Sequence, residues 1–159
     1  MSHHQTRQDE RGASVNRAAA DRPADAARLV DRSVLDRLGK ELDDDGEGYT
    51  KTFVANFITC LPGRIERLRL ALTTGDLEAA VDAVLSLKTS SQMVGAERLA
   101  VLAMDLEAEM RGEASRSDTM ALPKLAAALL NPIARCGSHT VHILNQWSRA
   151  GSVTGGRHP

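Results

Sequence analysis

Along this 159-residue chain apolar side chains recur at steps of three and four, and no stretch alternates apolar with polar over the length of a strand. That spacing lays them along one face of an α-helix, and a chain offering only such faces must bury them against each other. Phe53, Phe57, Cys60, Leu61, Ile65, Leu68 and Leu72 mark one helix over about 48–73. Ala80, Ala83, Val84, Leu87 and Ser91 mark the buried stripe of a second over about 77–92, with Glu78, Asp82, Leu85, Thr89 and Gln92 opposite. Leu99, Leu102, Ala103, Leu106 and Met110 mark a third, with Gly112 as its stop. A fourth covers about 120–149, with Leu125, Leu129, Ile133, Cys136, Val141, Leu144 and Trp147 inward. Short turns between them predict an all-α, antiparallel four-helix bundle.

Punctuation supports this division. A short extra helix is expected over 29–42, with Ser33 as N-cap and Val34, Leu35, Leu38 and Leu42 as its apolar face. Asp43-Asp44-Asp45-Gly46 ends it, because carboxylates are disfavoured at the negative end of the helix dipole and glycine takes the left-handed turn. Glu41, Asp43, Asp45 and Gly46 have the spacing of a calcium loop, but the closing carboxylate would fall at Thr52, so a turn is the better reading. Gly75-Asp76 stops one helix and caps the next, and Gly95 separates the second and third long helices. Pro62-Gly63 should bend the first long helix, and Pro132 with Cys136-Gly137-Ser138 should bend or split the last.

The chain divides into a disordered tail over 1–28, a helical bundle over 29–149 and a flexible C-terminal tail over 150–159. The first segment has almost no large apolar side chain and cannot offset the entropy of ordering. A net charge of −1 with mixed signs, and aromatics at 3% of residues, exclude a basic nucleic-acid footprint or a stacking platform. Cys60 and Cys136 read as small buried hydrophobes of a reducing compartment. No apolar run approaches the roughly 20 residues that cross a bilayer, and MSHHQTRQDERG has no signal-like apolar core, so a cytoplasmic protein without membrane contact is expected.

Sites with chemistry are few. No Gly-rich phosphate loop, HExxH or nucleophile elbow occurs, and Asp105 with Glu109 is an ordinary solvated pair. His3 and His4 are too few for a metal site. His139 and His142 lie about one turn apart but lack a third ligand of suitable spacing. No metal or cofactor is expected.

The stretch Ala83–Ala96, AVLSLKTSSQMVGA, resembles the signature helix of histidine phosphotransfer (HPt) domains, whose motif reads roughly A-H-S-L-K-G-S-S-x-x-L-G-A. Ser86, Leu87, Lys88, Ser90, Ser91, Gly95 and Ala96 fall on it without a gap, and Val84 and Val94 replace its first alanine and its leucine. The preceding segment from Gly75 to Ala80 and the proline near position 62 are also similar to the family. The likeness is good over about 34–111 and covers the final helix in outline. It implies a bundle of HPt type and a place in bacterial phosphorelays. Two positions depart: the phosphorylated histidine aligns with Leu85, and the glycine after the lysine with Thr89.

Leucine has no nucleophile and no titratable proton, so transfer cannot occur at position 85. The resemblance therefore implies a non-enzymatic pseudo-phosphotransferase that binds a response-regulator receiver domain or a histidine kinase. Its expected docking residues are Val81, Leu85, Lys88, Thr89 and Gln92, with Lys88 on the side of Leu85. A monomer is expected. Two alternatives stand beside this: an active phosphotransferase using His139 or His142, and a structural or oligomeric bundle in which Leu85 belongs to a self-association surface.

Overall fold

The structure, a computed structural model, describes residues 28–42, 48–114 and 119–156. Among them are five helices and no strand: α1 (Arg32–Leu42), α2 (Tyr49–Thr73), α3 (Leu77–Met93), α4 (Glu97–Ala114) and α5 (Ala121–Gly156). α2 and α4 each pack against both α3 and α5, so four antiparallel helices close a ring in which α3 and α5 are diagonal. α1 lies against α2. The core is built from the anticipated stripes, with Leu61, Leu68, Leu72, Val84, Leu87, Leu99, Leu106, Ile133 and Leu144 all fully buried.

Turn chemistry sets the boundaries of α3. Gly75 takes φ 72°, and the Asp76 side chain accepts the Ala79 N–H at 3.1 Å as N-cap. At the other end Gly95 takes φ 77°, and its carbonyl accepts the Asp31 N–H at 2.7 Å. The Arg98 N–H in turn donates to the Arg28 carbonyl at 3.1 Å. The segment leading into α1 is thus bonded to the α3–α4 turn. A Cβ on Gly95 would stand 2.6 Å from the Asp31 carbonyl oxygen. Only glycine permits both the turn and this approach.

That anchorage moves the start of α1. The helix begins at Arg32, and its cap is Asp31, whose Oδ1 accepts the Ser33 N–H at 3.0 Å and the Ser33 hydroxyl at 2.6 Å. Ser33 lies inside the helix, not at its cap. Leu35 is buried, Val34 and Leu38 are half-buried, and Leu42 is 39% exposed. The acidic turn at 43–47 and the tail at 1–27 lie outside the described residues.

Neither proline breaks its helix. α2 runs unbroken through Pro62 and α5 through Pro132. One lost backbone hydrogen bond is small against the apolar face each long helix buries. Gly137 also serves packing and not a break: a Cβ there would meet Ile65 Cδ1 at 3.0 Å, so its absence lets α5 approach α2. α5 continues past Arg149 to Gly156, and α4 past Gly112 to Ala114. In α5 Leu122, Ala126 and Leu130 are buried while Leu125 and Leu129 are half-buried, because this helix meets two neighbours and its stripe is wide. Cys136 is buried as expected, but Cys60 is exposed on the flank of the α2 stripe defined by Phe57 and Leu61. No helix of the described residues is long and apolar enough to cross a membrane.

Candidate functional site

α3 packs against α2 before it and α4 after it. Its buried residues are Ala80, Ala83, Val84, Leu87 and Ser91, the stripe read from spacing. Val81, Leu85, Lys88, Thr89 and Gln92 therefore share the outer side. Thr89 and Gln92 are exposed; Val81, Leu85 and Lys88 are half-buried. Val81 packs against the core. Leu85 is less open than a leucine on an isolated polar face would be, because α2 and α4 shade both flanks of α3. It is still the apolar centre of the accessible strip.

Lys88 is not a loose surface lysine. Its Nζ donates to Glu107 Oε1 of α4 at 3.0 Å, and the two side chains are 24% and 13% exposed. Arg111, one turn along α4, donates to Glu107 Oε2 at 3.1 Å. The Lys88 hydrogen bond, with the charges of Lys88 and Arg111 behind it, holds the Glu107 carboxyl below its ordinary range against the opposing effect of burial. This partnership was missed in the sequence. Its only local signal is the i,i+4 spacing of Glu107 and Arg111, whereas the pairing with Lys88 depends on the register of α3 against α4.

The two adjacent motif serines differ. The Ser90 hydroxyl donates to the Ser86 carbonyl at 2.7 Å, within the helix. Ser91 is fully buried and its hydroxyl has no protein partner. Beyond Gln92 the strip ends in an open depression of about 220 Å³ lined by Asp31, Val34, Gln92, Gly95, Val101 and Met104.

A family model described as Hpt domain matches residues 52–135, more than half of the chain. The chain belongs to the Hpt domain family. Among solved structures, histidine-containing phosphotransfer protein B (HptB) from Pseudomonas aeruginosa PAO1 is similar in fold, with a TM-score of 0.63 and 23% identity. That likeness covers 78% of this chain and 97% of the HptB chain. No curated protein matches the sequence.

Membership in the Hpt family makes this a phosphorelay signalling protein, of a class that carries phosphoryl groups between response regulators and histidine kinases and does not act as a catalyst in its own right. In this Hpt domain α3 contains no histidine. His139 and His142 are both exposed on α5, the helix diagonal to α3, and His142 shares a hydrogen bond with Gln146 at 3.2 Å. No group of three metal-ligating side chains occurs among the described residues.

Proposed function

We propose that this Hpt-family protein acts by docking and transfers no phosphoryl group from α3. It binds a response-regulator receiver domain or a histidine kinase module on the outer side of α3, through Val81, Leu85, Lys88, Thr89 and Gln92. The observation that carries the reading is Leu85: an accessible apolar side chain stands at the centre of the family's signature helix, which has no imidazole. A phosphoryl acceptor needs a lone pair to attack phosphorus and a site to hold the resulting charge. Leucine supplies neither, but its remaining exposed area suits a contact. Covering that area contributes about 1 kcal/mol, since part of the side chain is already shaded. Thr89, with a β-branched side chain beside it, shapes that contact sterically.

The test is a binding screen of the full chain against the receiver domains and kinase modules of its own source. The natural protein should bind at least one of them, and Leu85→Asp should weaken that complex by about tenfold or more through a buried unpaired charge. Leu85→His should take acid-labile label from the phosphorylated partner while the natural protein takes none. Unchanged binding by Leu85→Asp removes α3 as the dock. The exposure of His139 and His142 favours one second reading, in which an α5 imidazole accepts the phosphoryl group; label on either residue of the natural protein would replace the docking reading with that one.

A further inference from the structure

α3 carries a single cation. Lys88 is the only Lys or Arg among its seventeen residues, against the acids Glu78 and Asp82. An ammonium three residues from Leu85 would ordinarily offer its charge to whatever lands there, an anion above all. Here that charge is already engaged. Glu107 holds Nζ at 3.0 Å and also binds Arg111, and as the most shielded member of the three it is the centre of the network. A partly shielded pair is screened by salt less than a fully exposed one. A ligand approaching Leu85 therefore meets a lysine whose ammonium is already bonded to Glu107, and two α3 carboxylates.

We infer that Glu107 is a specificity-determining residue of the Leu85 strip: by holding Lys88 it makes the strip indifferent to a phosphoryl group, so a receiver domain docks equally well with or without phosphate on its aspartate. This rests on the strip being a receiver dock and adds what it discriminates. Releasing Lys88 should convert an indifferent surface into one that favours anions. Glu107→Gln is the suitable change because it keeps the volume and removes the charge. Arg111, with its side chain 77% exposed, loses its ion pair in the same change, so adding Lys88→Ala to Glu107→Gln is what separates the two cations.

Two measurements separate this inference from the docking reading. The first uses no partner. Inorganic phosphate is titrated into the full chain while the backbone amides of residues 85–89 are followed by nuclear magnetic resonance. The natural protein should show no saturable shift, Glu107→Gln should show one, and adding Lys88→Ala should abolish it. Saturable binding at Lys88 in the natural protein, or no gain in Glu107→Gln, overturns the inference. The second compares receiver binding with and without beryllofluoride, a mimic of the acyl phosphate. The natural protein should bind both forms within about twofold, and Glu107→Gln should shift the ratio toward the loaded form by up to about fivefold, the upper range for one exposed charge pair. A natural protein that already prefers the loaded form several-fold overturns the inference and leaves the dock standing. If no receiver binds at all, the dock falls and the receiver statement with it, while the phosphate titration still decides whether Glu107 withholds Lys88 from anions.

Discussion

Lys88 of α3 and Glu107 of α4, nineteen residues apart, form an ion pair at 3.0 Å beside Leu85. It ties the outer edges of two neighbouring helices together at the level where the candidate dock is centred. Because Glu107 is also bonded to Arg111, its carboxylate form is favoured by two cations at once.

The first prediction follows from that carboxyl. Its folded-state pKa lies below the ordinary value of 4.5, chiefly through the Lys88 hydrogen bond. A depressed pKa means the contribution to stability is complete above pH 4.5 and is lost as pH falls through the lower folded value. Urea unfolding should find the natural protein more stable than Glu107→Gln by about 1 kcal/mol at pH 7. The gap should close in strong acid, where both side chains are neutral. A gap that persists unchanged at pH 3 would show that Glu107 acts through packing and not through charge.

Two glycines should respond in opposite directions. Gly95→Ala meets both a φ of 77° and the Asp31 carbonyl at 2.6 Å, so thermal unfolding should show a loss of more than about 2 kcal/mol. Gly63→Ala lies within helical α2 with nothing within 4 Å of the new Cβ and should gain about 0.5–1 kcal/mol. Equal responses would mean that the docking of α1 onto the α3–α4 turn does not constrain Gly95.

The two thiols should differ in reactivity. Cys60 is exposed, whereas Cys136 is buried and desolvation raises its pKa, so its thiolate is scarce near neutral pH. A thiol reagent at pH 7.5 should titrate Cys60 promptly and Cys136 only on unfolding. Rapid reaction of both would indicate that α5 opens from α2 and α4 in the native state.

Ser91 offers a test at the core. Its side chain is fully buried and its hydroxyl has no protein partner, an arrangement that costs about 1–3 kcal/mol relative to a satisfied one. Ser91→Ala removes the polar atom with little change in volume and should leave stability equal or higher by up to about 1 kcal/mol. A clear loss in denaturant unfolding would reveal that the hydroxyl has a partner, such as an internal water.

Helix number, helix type and the inner stripes of α3 and α4 follow from the sequence alone, because a 3.6-residue period is a local property that neighbours need not supply. So do the caps and turns at Gly75, Asp76 and Gly95, where each residue type has one conformational or hydrogen-bonding advantage. The signature over Ala83–Ala96, with leucine at position 85, was equally legible, and it carries the family resemblance. Local reading failed where a distant segment set the outcome. The cap passed from Ser33 to Asp31 because the chain there is bonded to Gly95. Pro132 and Gly137 signal a bend or split, yet the long packed face kept α5 whole and used Gly137 for a close approach. Cys60 reads as core but fell on the flank of its stripe. Spacing put Lys88 beside Leu85, but only the register of α3 on α4 gave it Glu107, because an ion pair depends on where two helices lie in space and no periodicity along one of them records that.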